Sequence, residues 1–242
     1  MVGPSGMCIE DLKGWSREAT HKKESVRRMW EILVRLAHQT FGEWNPPEDL
    51  TWATMDLIPE GKGEFWCIGL IEVAWKVCAE VVNCRLKRSV VLHDALHGFR
   101  VGQGMGTATL EAKLDQQLSR LVQKPLFQVF LDICKVYASL VRVRQIKVLR
   151  GYGMRTNLAR LLKSYWDCQS IVPKTGEFLG KEFRIGRRLT QGDPVSPIIF
   201  NIVVDAVVRA VLDVVCGLQE AQHSLGWAAG DRNLIFMPTM AG

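Results

Sequence analysis

Apolar and polar positions alternate with helical periodicity over much of the chain. Apolar residues spaced by three and four positions predict helices over residues 16–39, 72–88, 107–122, 138–150, 157–166 and 198–215. Shorter apolar runs predict two strands joined by a glycine turn over 57–70, a buried strand over 126–133 and a hairpin over 171–188. Helices and strands mixed in this way indicate an α+β protein.

Glycine and proline mark the predicted boundaries. The run Asn45-Pro46-Pro47-Glu48 separates an N-terminal helical extension, residues 1–47, from the rest of the chain. Gly151 is the predicted C-terminal cap of the helix that ends at Arg150. The glycine-rich segment 102–107, GQGMGT, lacks the Gly-Lys-Ser/Thr ending of a phosphate-binding loop, so we expect a plain connection there.

The helix predicted over 198–215 carries a polar residue at every fourth position. Asn201, Asp205, Arg209 and Asp213 therefore share one face. This pattern is typical of a buried amphipathic helix rather than of a membrane span. We expect Asp205 and Asp213 to be surface salt-bridge partners of Arg209.

Composition narrows the class of protein. The chain has 242 residues, 48% hydrophobic and 23% charged, which is typical of a globular protein of one large or two modest domains. A net charge of +6 favours an anionic partner such as nucleic acid, although an ordinary basic protein has a similar charge. Seven cysteines without a Cys-x-x-Cys pair argue against a zinc site or a disulfide framework. With no secretory signal pattern, an intracellular location in nucleus or cytoplasm is expected.

Positive charge is concentrated in one region. Residues 133–166 contain no Asp or Glu, and they carry eight cations: Lys135, Arg142, Arg144, Lys147, Arg150, Arg155, Arg160 and Lys163. A stretch of one sign favours contact with phosphates, whereas an ordinary solvated helix face usually mixes signs. The neighbouring aromatics Tyr152, Tyr165 and Trp166 are candidates either for stacking on bases or for filling a core.

The segment 189–205, LTQGDPVSPIIFNIVVD, is the most informative motif. Gln191 and Gly192 predict a turn that can approach a ligand closely, because glycine has no side chain. Asp193, followed by Pro194 and Pro197, predicts a capped helix start.

This segment and five others together resemble reverse transcriptases of group II introns and non-LTR retrotransposons. The blocks occur in the family's order from about residue 57 to 236: IPEGKGEFWCIGL, VCAEVVNCRL, HGFR, FLDICKVYASL, RGYGMRTNLARLLKSYW and LTQGDPVSPIIFN. The resemblance implies a right-hand polymerase fold without a thumb. Its fingers would comprise about 48–126 and 155–190, and its incomplete palm about 127–154 and 191–242.

The resemblance also implies a site for RNA-templated DNA synthesis. Asp132, at the end of a strand, would be the catalytic residue and would bind two Mg²⁺ ions together with the Ile133 carbonyl. Without the family, a cap of the following helix is the favoured interpretation of Asp132. Substrate contacts are implied for five residues: Lys62 with phosphate, Arg100 in the fingers, Tyr137 beneath the sugar, and Gln191 and Gly192 beside the nascent base pair. The implied partners are an RNA template, a DNA primer and deoxynucleoside triphosphates, with no membrane.

Four departures from the family pattern bear on activity. Trp66 stands where the family carries a phosphate-binding Arg, and Glu60 stands where it carries Lys. Val136 and Ala138 replace an Ala and an Asp that are not expected to bind metal. After the strand-like run 233–236 the family has an aromatic, any residue and Asp-Asp, whereas this chain reads Met-Pro-Thr-Met-Ala-Gly to its end. We therefore expect a truncated chain without catalytic activity. The alternatives are a non-catalytic nucleic-acid-binding protein and a retroelement remnant without function.

Overall fold

The computed structural model describes residues 24–126 and 140–224, together with Glu10, Lys13, Gln128 and Tyr137. Side chains are described throughout these ranges except at 25, 26 and 215–224. The strand predicted over 126–133 therefore lies almost entirely outside the described residues. The chain divides into two compact units: the first comprises Met1–Ser89 and Tyr137–Ser196, and the second comprises Val90–Val136 and Pro197–Gly242.

The described helices and strands follow one another in the order of an α+β chain, which confirms the predicted class. They are α1 (Glu24–Glu43), a short 3₁₀ helix (Glu48–Leu50), β1 (Trp52–Gly61), β2 (Glu64–Ile71), α2 (Val73–Ser89), α3 (Met105–Leu121), α4 (Arg142–Gly151), α5 (Thr156–Cys168), β3 (Ser170–Thr175), β4 (Phe178–Leu179), β5 (Phe183–Arg184) and α6 (Ser196–Ser224).

A mixed five-stranded sheet organises the first unit. Its strands lie in the order β2-β1-β3-β4, and β5 also pairs with β3. β1 and β2 form an antiparallel hairpin, whereas β1 and β3 are parallel. The strand-turn-strand prediction is confirmed, but β1 begins at Trp52 rather than at 57. Its first residues pair on both sides, with Ala53 opposite Ile71 and Ile171, so they lack the alternation that marks a half-buried strand.

Helices α2 and α5 supply the centre of the first unit's core. Trp75 of α2 stacks on Tyr165 of α5, with ring centroids 3.7 Å apart and planes 9° from parallel. Tyr165 and Trp166 are both buried, so these two aromatics fill the core and are not available to stack on bases. Ile71 of β2 and Ile171 of β3 are also completely buried.

In the second unit, α6 holds the loop that precedes α3. The Asn201 amide donates to the carbonyl of Gly98 at 2.7 Å, and the rings of Phe99 and Phe200 meet edge to face. Asp205 is completely buried and accepts hydrogen bonds from the Arg209 guanidinium and from the backbone amide of His93. The expectation that Asp205 lies on the surface is therefore wrong, because this loop covers it. No helix in the described part of the chain is long and apolar enough to cross a membrane.

Two helix ends differ from the predictions. The predicted helix begins at 138, whereas α4 begins at Arg142 and the described residues 140 and 141 lie outside it. Gly151 is the last residue of α4 rather than its cap. The left-handed position falls on Gly153, with φ of +83°, where the Gly153 and Met154 amides close the last turn on the carbonyls of Arg150 and Leu149.

Candidate functional site

The loop that carries Gln191 and Gly192 lies directly against strand β2. The amide of Gly69 donates to the carbonyl of Gln191 at 2.8 Å. A Cβ on Gly192 would lie 2.3 Å from the Gly69 carbonyl oxygen, and a Cβ on Gly69 would lie 2.3 Å from Cγ2 of Thr190. Gly192 also has φ of +102°, which a side chain rarely permits. Both positions therefore require glycine.

The side chain of Gln191 is held by Trp66 of strand β2, which belongs to the β1–β2 hairpin. The indole Nε1 of Trp66 donates to Oε1 of Gln191 at 2.6 Å. Trp66 nevertheless keeps 43% of its surface exposed, so the indole contributes to the open surface above the loop. At the tip of this hairpin Lys62 is exposed and adopts φ of +54° in the turn that joins β1 and β2.

Tyr137 is the first described residue on the C-terminal side of the predicted catalytic Asp132. Its carbonyl accepts a hydrogen bond from the amide of Leu189 at 3.0 Å, two residues before Gln191. Burial raises the pKa of the Tyr137 hydroxyl to about 12, so it is protonated at neutral pH. The structure thus brings Tyr137 to the segment that carries Gln191 and Gly192.

A buried carboxylate anchors the other end of this loop. Asp193 accepts hydrogen bonds from the Val195 amide at 3.1 Å and from the Trp75 indole at 3.4 Å. The Ser196 amide donates to the Asp193 carbonyl, and α6 begins there, as the predicted helix start requires. Burial raises the pKa of the Asp193 carboxyl to about 6, although both hydrogen bonds favour the ionised form.

Arg142 is placed differently from the other predicted nucleic-acid contacts. It is buried, and its guanidinium donates to the carbonyls of Arg188, Ile185 and Trp166 and to Oε1 of Gln169. Burial lowers its pKa to about 10, so it remains charged at neutral pH. The prediction that Arg142 binds nucleic acid is not supported by this placement, because its donors hold the segment leading into the Gln191 loop.

The other cations of this region are exposed on or beside α4 and α5. They are Arg144, Lys147, Arg150, Arg155, Arg160 and Lys163. Lys163 forms an ion pair with Asp167, one turn further along α5. Lys135 lies outside the described residues.

Arg100 belongs to the second unit and serves its own loop. Its Nη1 donates to the carbonyls of His93 and Leu96, each at 2.9 Å, and its Nη2 lies 3.6 Å from Asp94. The adjoining glycine loop starts α3, since the Gly104 amide donates to the Thr107 hydroxyl at 2.9 Å. This is the geometry of a helix cap, in agreement with the absence of a phosphate-binding motif.

Comparison with known proteins identifies the family. The reverse transcriptase (RNA-dependent DNA polymerase) family matches residues 58–224, which is more than half of the chain. The chain belongs to the reverse transcriptase family. The predicted relationship is therefore confirmed.

Two curated relatives are similar over most of the chain. A Retrovirus-related Pol polyprotein from the type-2 retrotransposable element R2DM of Drosophila melanogaster is 23% identical, over 74% of this chain and 18% of its own length. A Retrovirus-related Pol polyprotein from the type-1 retrotransposable element R2 of Nasonia vitripennis is 25% identical, over 63% of this chain and 15% of its own length. The match thus spans less than a fifth of either relative.

The predicted metal ligands of this chain, Asp132 and Ile133, lie outside the described residues. Among the residues that are described, no group of three or more His, Cys, Asp or Glu side chains could hold a metal ion. The described residues thus do not by themselves supply a magnesium site, and Mg²⁺ binding stays a prediction.

Sequence patterns offer little indication of three contacts at this site: Gly69 with the loop at Gly192, Trp66 with Gln191, and Trp75 with Asp193. Gly69 interrupts an otherwise apolar strand, and an isolated glycine in a strand is typical of a close backbone approach. The Trp66–Gln191 and Trp75–Asp193 bonds join residues more than 100 positions apart, and no local pattern predicts such pairs. The indole N–H of a packed tryptophan usually donates a hydrogen bond, but the fold decides which residue accepts it.

Replacement of Gly192 by Ala should destabilise the protein by about 2 kcal/mol or more, because the new methyl would meet the Gly69 carbonyl at a strained backbone angle. Urea unfolding followed by circular dichroism measures this change. The matched control is Gly151→Ala, where no atom lies within 4 Å of the added Cβ. In α4 this control should be neutral or should stabilise by up to about 1 kcal/mol. Equal stabilities of the two variants would contradict the proposed close approach.

Proposed function

We propose that this chain is the reverse transcriptase segment of a non-LTR retroelement, and that it contacts nucleic acid through α4 and α5. Its family membership and its similarity to the two retrotransposable-element polyproteins support the origin. The exposed cations of the two helices are the observation that carries the proposed contact.

The placement of Arg142 strengthens the proposal, because it separates cations that hold the fold from cations that face solvent. Arg142 satisfies its donors inside the protein, whereas Arg144, Lys147 and Arg150 of the same helix are exposed. No carboxylate occurs from residue 142 to 166, and Asp167, the first one after them, pairs with Lys163. A surface with so little internal neutralisation attracts phosphates and releases their counterions.

The reaction inherited from the family is RNA-templated DNA synthesis. In that reaction Gln191 and Gly192 would line the nascent base pair, Tyr137 would lie beneath the sugar of the incoming deoxynucleotide, and Lys62 would contact its phosphates. The close packing of Gly192 on β2 and the contact of Tyr137 with Leu189 support a shared location for the first three residues. Arg100 is a weaker candidate, since its guanidinium already bonds two carbonyls of its own loop.

We also propose that the 242-residue chain does not polymerise by itself. Two catalytic metal ions held about 3.5–4 Å apart require several carboxylates around them. At the positions of the family's Asp-Asp the sequence has Thr239 and Met240. In addition, the indole of Trp66 cannot form the bidentate, charge-assisted contact that an Arg makes with phosphate.

The competing proposal is a retroelement remnant with no binding function. The two proposals differ in one measurable respect, because a remnant would show no salt-dependent affinity for RNA that depends on α4 and α5. Non-catalytic binding and catalysis are separated by the two experiments that follow.

Replacement of Arg144, Lys147 and Arg150 by Gln should weaken binding of a fluorescent single-stranded RNA and flatten its salt dependence. Three lost phosphate contacts should reduce the slope of log K against log salt by about 2. Fluorescence anisotropy at several salt concentrations measures both effects. The matched control replaces three exposed cations outside these helices, Lys87, Arg88 and Lys113, by Gln. A control that weakens binding equally, or a chain that binds no RNA at low salt, would contradict the proposed surface.

Primer extension on an RNA template should give no product with the purified chain in Mg²⁺ and all four deoxynucleoside triphosphates. The expected reason is the lack of carboxylates at positions 239 and 240. A related active reverse transcriptase serves as the positive control for the template and primer. Incorporation by this chain that disappears in Asp132→Ala would overturn the proposed inactivity and would identify Asp132 as catalytic.

A further inference from the structure

A groove lies between α1 and the sheet of the first unit, and none of the cations of the proposed nucleic-acid surface lines it. It encloses a cavity of about 530 Å³, lined by α1, the 3₁₀ helix, the start of β1, the start of α2 and strands β3 and β5. Cavities of this size accommodate a drug-sized ligand or a few side chains of a partner.

The α1 wall of the groove has the geometry of a helix-packing face. Met29, Ile32, Leu33 and Leu36 line it at the spacing i, i+3, i+4, i+7. Leu33 is buried, but Ile32 is 51% exposed, and Trp52 at the mouth of the groove is also exposed. A wall of this kind presents the ridges into which a second helix packs.

Exposed apolar surface continues along α1 beyond the groove. Trp30 and Val34, which do not line the cavity, are exposed as well. At about 100° per residue, Trp30 and Val34 lie about 100° and 140° around α1 from Met29, so they belong to a neighbouring face of the helix and not to the wall of the groove.

The charges around the groove are predominantly negative. Among the described lining residues four are acidic, Glu48, Asp49, Glu72 and Glu182, and one is basic, Arg184. Glu72 is buried and interacts with Lys76, so the exposed excess comes from the other three carboxylates. This sign is opposite to that of the whole chain, whose net charge is +6. The groove therefore disfavours nucleic acid and is complementary to a cationic partner.

We propose that this groove binds a basic amphipathic helix of a protein partner, with its apolar residues in the cavity and its cations beside the groove's carboxylates. The apolar wall fixes the helical form of the partner, and the excess of carboxylates fixes its charge. The proposal is independent of the nucleic-acid surface on α4 and α5, because the two use different residues.

Two labelled peptides test the proposal on the full 242-residue chain. Both are 15-residue helices with leucines at i, i+3, i+4 and i+7; one carries lysine at the remaining positions and the other carries glutamate. Fluorescence anisotropy should show that the lysine peptide binds at least about tenfold more tightly. This preference is demanding, because the protein's net charge by itself favours the glutamate peptide.

Substitutions of groove residues test whether the peptides bind in the groove. Asp49→Lys and Glu182→Lys should each weaken the lysine peptide by about tenfold, and Ile32→Ser should weaken both peptides. The matched controls lie outside the groove: Leu114→Ser removes a side chain of similar exposure, 54%, and Asp213→Lys reverses an exposed charge. Circular dichroism verifies that each variant is folded.

Each outcome of these measurements either supports or overturns the proposal. A preference for the lysine peptide that is lost in the groove variants and kept in the controls supports the proposal. Equal or tighter binding of the glutamate peptide, no binding of the lysine peptide, or equal losses in groove and control variants would each overturn it.

Discussion

The contact between Gly69 and Gly192 is the constraint on which the candidate site depends. It brings the backbone of the loop against the backbone of β2, at a distance that no side chain permits. The hydrogen bond from the Gly69 amide to the Gln191 carbonyl fixes the register of this contact. Because the loop cannot slide along the strand, the side chain of Gln191 reaches Trp66, and Asp193 reaches Trp75. A loop held in this way offers a rigid wall to a ligand, which a mobile loop would not.

A buried polar network supports the loop from below. Arg142 donates to three carbonyls and to Gln169, and the same Gln169 oxygen accepts a hydrogen bond from Thr190 at 3.1 Å. Removal of one member would leave several buried acceptors unsatisfied, so the network favours a single loop conformation. One cation of the basic stretch is thus used for structure, whereas the exposed cations of α4 and α5 are the ones proposed to contact phosphates.

Local patterns in the sequence predicted most of the described helices, the β1–β2 hairpin and the helix start at Asp193, because these depend on periodicity and on neighbouring residues. The features that local patterns could not predict depend on long-range contacts. Asp205 has the helical spacing of a surface residue, but the loop that contains His93 covers it, and the His93 amide donates a hydrogen bond to it. Arg142 belongs by sequence to a run of cations, but its burial follows from the fold of residues 166–188 around it. The parallel pairing of β1 with β3 joins segments more than 100 residues apart, which no local signal encodes.

Photo-crosslinking of RNA to the intact chain tests the central claim most directly. An RNA substituted with 4-thiouridine would be bound at low salt and irradiated, and the crosslinked peptides would be identified by mass spectrometry. If α4 and α5 form the nucleic-acid surface of this reverse transcriptase domain, crosslinks should concentrate in residues 142–168, and added salt should suppress them. Crosslinks confined to other segments, with none in residues 142–168, would contradict the account.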